Sequence, residues 1–282
     1  MPVADDGCAR LGVLGWPVAH SRSPAMQRAA LDAVGLRGWS YQLLGVPPEL
    51  FADVVRALPA LGFVGANVTV PHKRAALEVA DRATVAAREI GAANTLSFAD
   101  GAIDADNTDA PGLIAALGFD PAGRSAVVLG AGGTARAAAW ALREAGVAVA
   151  VTNRTRERAD QLAADLGIEA IGAPRAADLL VNATTVGMDT NTSDADALRS
   201  LGLDSDLLGS CACVIDFVYV PAPTPIVSAA RRLGIQVVDG LAILVAQGAL
   251  SFERWTGRRA PLDAMDAAAR SPGPWLSRPP RT

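Results

Sequence analysis

The sequence predicts an α/β protein built as two domains, the second around a parallel sheet. A chain of 282 residues with 51% apolar and 19% charged residues has material for two modest cores. Its apolar runs are short enough for strands and alternate with helix-like stretches, the pattern of βαβ units. Near the middle, Val127-Val128-Leu129-Gly130-Ala131-Gly132-Gly133-Thr134-Ala135 reads as a strand, a glycine turn and a helix start in succession.

In chain order, Leu11–Leu14, Trp39–Leu44 and Phe63–Val70 read as strands, with helices near Ala25–Val34 and Glu49–Leu58 between them. Asn94–Phe98 and Ala102–Asp106 flank Asp100-Gly101, a dipeptide that favours a tight hairpin turn. A second series then begins. Its strands fall near Ala126–Leu129, Val147–Thr152, Leu179–Asn182 and Val214–Phe217, and its helices near Ala135–Ala145, Arg156–Leu166 and Pro225–Leu233. From Gly240 to Trp255 the pattern is helical again. This order implies a first domain over residues 1–109, completed by 240–270, and a second over 110–239, with 271–282 expected to be a mobile tail.

A formal charge of −4, with arginines scattered among acids, gives no electrostatic footprint for nucleic acid or for an anionic membrane, so small molecules are the expected partners. Met1-Pro2-Val3-Ala4-Asp5-Asp6 lacks the basic start and apolar core of a signal peptide, and no apolar run approaches the roughly 20 residues of a spanning helix. A cytoplasmic location away from membranes is expected. Cys8, Cys211 and Cys213 are too few and too far apart for a disulfide framework. The only histidines, His20 and His72, lie far from them in sequence, so no metal site is expected. Monomer and homodimer both remain open.

Gly130, Gly132 and Ala135 fill the G-x-G-x-x-G/A positions of a dinucleotide turn. Gly130 permits the tight turn, Gly132 lets the backbone approach a pyrophosphate, and Ala135 lets helix and strand pack closely. The helix start then offers free N–H groups to phosphate. At the end of the next strand, where an NAD enzyme places an acid for the ribose, this chain has Thr152-Asn153-Arg154-Thr155-Arg156. A guanidinium in place of a carboxylate grips a 2′-phosphate, so the expected cofactor is NADP.

Lys73 is the only lysine; the other 24 of 25 basic side chains are arginines. Guanidinium stays charged at working pH, whereas an ammonium can be tuned to pass a proton, so Lys73 is the chain's one titratable side-chain amine. Four segments are polar where strand or helix ends need not be: Gly15 to Pro24 with paired Ser21 and Ser23, Asn67-Val68-Thr69, Gly91 to Thr95 around Asn94, and Asp106 to Gly112 around Asp109. Each alone also has a structural reading, as helix cap or turn residue.

Taken in this order with the glycine turn downstream, the segments resemble the shikimate dehydrogenase family. Val181 to Met188, Asp216 to Pro221 and Asp239 to Gln247 extend the resemblance from about Leu11 to Trp255. It implies a substrate domain and a Rossmann-like NADP-binding domain with a cleft between them, and reduction of 3-dehydroshikimate to shikimate by NADPH. It places Ser21 and Ser23 at the substrate carboxylate with Tyr219 nearby. Asn67, Thr69, Asn94 and Gln247 would meet the ring hydroxyls or line their site, and Asp109 would also contact substrate. Lys73 and Asp109 match the catalytic pair, with Asp109 holding the ammonium and the reacting hydroxyl in line. Gly130, Ala131, Gly132, Gly133 and Thr134 match the first cofactor loop, and Asn153, Arg154, Thr155 and Arg158 the second. Met188 and Gly240 fall where the family touches the nicotinamide half.

The chain departs from the family pattern at Asp239 and Ile243, where many relatives have asparagine and methionine. Three other readings stand beside shikimate chemistry. One is a quinate/shikimate dehydrogenase of broader specificity. Another is a non-catalytic sensor of NADP and substrate, whose signature would be loss of Lys73 or Asp109. The third is a related dehydrogenase for an unrelated substrate.

Overall fold

The computed structural model describes residues 7–189 and 192–271; Met1–Asp6 and the expected tail beyond Ser271 lie outside them. The chain divides into two compact units. One runs to Thr108 and resumes at Leu244, and the other spans Asp109–Ile243, so Asp109 groups with the second unit.

The first unit opens with β1 (Ala9–Gly15), α1 (Ser23–Ala33), β2 (Trp39–Gly45), α2 (Phe51–Ala57) and β3 (Phe63–Val68). All but one of the β1 side chains are buried, as expected of a strand covered on both faces. The third strand ends two residues earlier than the apolar run suggests, ahead of Pro71, which supplies no amide to a ladder. Then come α3 (Lys73–Val79), β4 (Arg82–Ala83), α4 (Val85–Ile90), β5 (Thr95–Ala99) and β6 (Ala102–Asp106). The expected hairpin forms: Asp100 (φ 53°) and Gly101 (φ 74°) both take the left-handed conformation that a two-residue turn requires. The six strands form one sheet in the order β2-β1-β3-β5-β6-β4, with β1, β2 and β3 parallel and β5 antiparallel to its neighbours. Leu14, Phe51, Val55, Val68 and Leu96 belong to its core.

The second unit comprises α5 (Asp109–Leu117), β7 (Ser125–Leu129), α6 (Gly133–Glu144), β8 (Ala148–Thr152), α7 (Arg156–Leu166), β9 (Glu169–Ala170), β10 (Leu179–Asn182), α8 (Asp194–Ser200) and α9 (Ser205–Gly209). It continues through β11 (Cys213–Asp216), α10 (Pro225–Arg232), β12 (Gln236–Val238) and the first residues of α11 (Gly240–Thr256). Every pairing in its sheet is parallel, in the order β12-β11-β10-β7-β8-β9. Read outward from β7, that is the doubly wound dinucleotide-binding order, with its reversal between β7 and β10. Helix α12 (Leu262–Arg270) returns to the first unit and packs on α1.

No helix among the described residues is long and apolar enough to cross a membrane, and no cluster of His, Cys, Asp or Glu there could hold a metal ion. All three cysteines are free, and burial pushes the Cys213 thiol up to about 11.

Candidate active site

In the first unit the polar segments converge on one edge of the sheet. Strands β1 and β3 both end there, and antiparallel β5 begins there, with Asn67 paired to Thr95. In an open α/β sheet the loops beyond the carboxyl ends of the strands form the binding edge. Ser21 and Ser23 follow β1, Thr69 and Lys73 follow β3, and Asn94 precedes β5.

Ser23 is the first residue of α1 and is buried; its amide donates to the Ser21 hydroxyl at 3.3 Å. Arg22 between them turns the other way. Its guanidinium donates to the carbonyls of Ala269, Ala268 and Ser271 at 3.1, 2.9 and 2.7 Å, at the carboxyl end of α12 where a helix concentrates negative charge. The arginine thus anchors the loop on which the two serines stand.

Asn67, Asn94 and Gln247 lie in a buried polar cluster. The Tyr41 hydroxyl donates to Asn67 Oδ1 at 2.8 Å, and Asn67 Nδ2 donates to Ser251 Oγ at 2.9 Å. Asn94 Nδ2 donates to Gln247 Oε1 at 3.1 Å, while Asn94 Oδ1 accepts from the Thr108 amide at 2.7 Å and from the Thr95 hydroxyl at 3.1 Å. Thr95 and Ser251 hydroxyls meet at 2.8 Å. Buried amides and hydroxyls without partners would be costly, so the arrangement is fully cross-linked and fixes each amide's orientation. Both ends of the Asn67 amide are engaged within the unit, which suits it to supporting Asn94 and Gln247. Thr95, Thr108, Ser251 and Tyr41 were not singled out by the sequence. A usable signal was the spacing of Ser251 one turn beyond Gln247, on the same face of α11.

Lys73 opens α3 at 9% exposure, and its carbonyl accepts from the Ala93 amide at 2.8 Å, beside Asn94. The neighbouring His72 is spent on structure. Its Nε2 lies 2.8 Å from the Val46 carbonyl, its ring stacks on Phe51 at 4.4 Å, and burial holds its pKa below the ordinary value. That leaves Lys73 as the group of this segment suited to proton transfer. Asp109 opens α5 and is buried at 6% exposure; its chain neighbour Thr108 is the residue held by Asn94.

In the second unit every expected cofactor residue follows the carboxyl end of a parallel strand. Gly130 (φ 114°) follows β7, and a Cβ there would come within 2.9 Å of the Ala183 carbonyl, so both conformation and space demand glycine. Ala131, Gly132, Gly133 and Thr134 continue the turn. No side chain caps α6, and a Cβ built on Gly132 meets nothing within 4 Å, so the helix start and its approach are clear for a phosphate. Asn153 follows β8 and braces its loop by donating to the Thr155 carbonyl at 2.9 Å. Arg154 and Arg158 are exposed and carry no ion pair among the described residues, whereas Arg156 is paired with Asp160. Met188, Tyr219 and Gly240 follow β10, β11 and β12 and are half-buried, half-buried and buried.

The departure at Asp239 has a local reason. Its Oδ1 accepts from the Ala242 amide at 2.9 Å and so caps α11, a task that aspartate and asparagine perform equally well. Ile243 is buried at 2% exposure and fills core space.

Three family signatures match the chain: shikimate dehydrogenase substrate binding domain over residues 13–96, shikimate / quinate 5-dehydrogenase over 115–188, and shikimate 5′-dehydrogenase C-terminal domain over 240–270. The chain is similar to a shikimate dehydrogenase (NADP(+)) of Paracoccus denitrificans, with 44% identity over 267 residues, covering 89% of this chain and 92% of the relative. Among solved structures it is similar to shikimate 5-dehydrogenase of Thermus thermophilus in complex with NADP(H) and shikimate. The TM-score is 0.83 at 41% identity, covering 93% of this chain and 98% of that one. It is also similar to ligand-free 5-ketofructose reductase of a Gluconobacter species, with TM-score 0.78 at 31% identity, covering 94% and 98%.

Proposed function

The chain belongs to the shikimate dehydrogenase family, and from that premise we propose that it is an NADP-dependent oxidoreductase interconverting 3-dehydroshikimate and shikimate. The observation that carries this reading is the buried Lys73 on the same sheet edge as Ser21, Ser23, Thr69 and Asn94, with Gln247 of α11 bonded to Asn94. A carboxylate and several ring hydroxyls need that set of hydroxyl and amide partners.

Bound NADPH supplies a hydride to the carbonyl carbon. The residues of the chain do the rest. Ser21 and Ser23, with Tyr219, hold the substrate carboxylate. Thr69, Asn94 and Gln247 take the ring hydroxyls, and the cluster behind them keeps each amide in one orientation. Charge gathers on the carbonyl oxygen as the carbon is reduced, and Lys73 gives that oxygen a proton. Asp109 holds the ammonium and the reacting hydroxyl in line, and in the oxidative direction Lys73 takes the proton from that hydroxyl. A positioned acid of this kind commonly contributes about 10²–10⁴-fold in rate.

The glycine turn with the uncapped start of α6 would hold the pyrophosphate, and Arg154 and Arg158 the 2′-phosphate. Met188 and Gly240 would border the nicotinamide half. We place the protein in the cytoplasm, which suits its use of NADP and its three free cysteines.

The deciding experiment gives purified protein NADP with shikimate and, separately, with quinate, repeats both with NAD, and runs 5-ketofructose with NADPH. Rapid NADPH formation with shikimate and little with quinate or NAD is expected. Turnover of 5-ketofructose alone would overturn the substrate assignment.

A further inference from the structure

The last residues of β8, β7, β10 and β11 stand side by side across the second sheet: Thr152, Leu129, Asn182 and Asp216. Asn182 and Asp216 are fully buried, at 0% exposure each. Polar groups at such positions must find partners inside the protein. They find one in each other, since Asn182 Nδ2 donates to Asp216 Oδ1 at 2.9 Å.

Their remaining atoms reach into the loops that leave the two strands. Asn182 Oδ1 accepts from the Thr184 amide at 3.2 Å and its hydroxyl at 2.7 Å, and Nδ2 also donates to the Val186 carbonyl at 3.2 Å. Asp216 accepts from the Val218 amide at 3.0 Å and from the Thr224 hydroxyl. The loops held in this way border the nucleotide turns. The Ala183 carbonyl lies 2.9 Å from the Cβ position of Gly130, and the Val218 carbonyl 2.6 Å from that of Gly240.

We propose that Asn182 and Asp216 are a positioning pair, fixing the loop that leads to Met188 against the glycine turn and the loop that carries Tyr219 against Gly240, and so setting the affinity of the NADP site. The inference rests on the NADP reading above. It differs from a purely structural role in what it does to the folded protein: a core pair lowers the melting temperature alone, whereas a positioning pair also changes nucleotide affinity.

The test measures the NADP dissociation constant by isothermal titration calorimetry, with melting temperatures on the same samples. Asn182→Ala should melt cooperatively yet bind NADP at least tenfold more weakly; a folded variant within twofold of wild type overturns the proposal. If Asn182→Ala does not fold, Thr224→Val decides, because it removes one donor to Asp216. A rise of threefold or more is expected there, with Thr224→Ser near wild type, and equal affinity in the two variants overturns the proposal. No shikimate enters the assay. A wild type that binds NADP but leaves shikimate unchanged would therefore refute the substrate assignment while this measurement still decides the pair, and one that binds no NADP would refute both.

Discussion

Arg156 Nε donates to Asp160 Oδ1 at 2.8 Å, one turn along α7, and its Nη2 reaches the Ala170 carbonyl at 3.4 Å. The cation that sits worst against the helix macrodipole is thus compensated within its own helix. The segment Thr152 to Arg156 offers two guanidinium groups for a 2′-phosphate, and the pairing ties Arg156 to its own helix.

Arg154 is the side chain expected to meet the 2′-phosphate. Arg154→Ala should raise KM for NADP by about 10- to 100-fold, the equivalent of one or two charge-assisted hydrogen bonds. KM for NAD should barely move. Steady-state kinetics with both cofactors check this, and equal losses would return Arg154 to a structural role.

Lys73→Ala should lower kcat by about 10²–10⁴-fold, the usual worth of a positioned proton donor. NADP affinity should stay within a few-fold of wild type, because Lys73 stands on the first unit and the glycine turn on the second. Near-normal turnover would remove Lys73 from the mechanism.

Ser251 makes no proposed contact with substrate, yet its hydroxyl bonds Asn67, Thr95 and Thr108 at 2.9, 2.8 and 3.1 Å. Ser251→Ala leaves those groups short of a partner, at a cost of about 1–3 kcal/mol. The melting temperature should fall by several degrees. KM for shikimate should rise as Asn94 and Gln247 loosen, and kcat should change less.

Burial pushes Asp216 up to about 6 from its ordinary 3.8; Thr224, the Val218 amide and Asn182 pull it down, and Asp239 adds like charge. Between those values the folded state keeps a proton that the unfolded chain has lost. Stability from this group is therefore present at low pH and lost as pH rises through about 6. Asp216→Asn cannot ionise. Urea unfolding at pH 4.5, 5.5 and 7 should show wild type losing about 2 kcal/mol relative to the variant across that range. A difference that is flat or grows with pH would contradict it.

The second sheet was legible because its central strands are short apolar runs closed by glycine or polar residues, and a parallel sheet writes its period plainly. Short elements were not. Strands β4 and β9 have two residues each and carry no periodic signal, while α8 and α9 are seven and five residues long and are held by the caps of Ser193 and Asp204. The site was legible as residue types but not as partnerships. Nothing in the sequence pairs Asn182 with Asp216 or sends Arg22 to the end of α12, because such bonds depend on register and topology rather than on local pattern.

The first unit is completed only by residues from Leu244 onward, among them Gln247, Ser251 and Trp255, whose indole donates to the Leu96 carbonyl at 2.9 Å. A chain emerging from the ribosome exposes its second unit whole while the first still lacks these side chains. Its polar cluster and the Arg22 anchor can close only once Gln247, Ser251 and the end of α12 have been made. The order of translation therefore lets the nucleotide fold form first and leaves the substrate edge to be assembled after it.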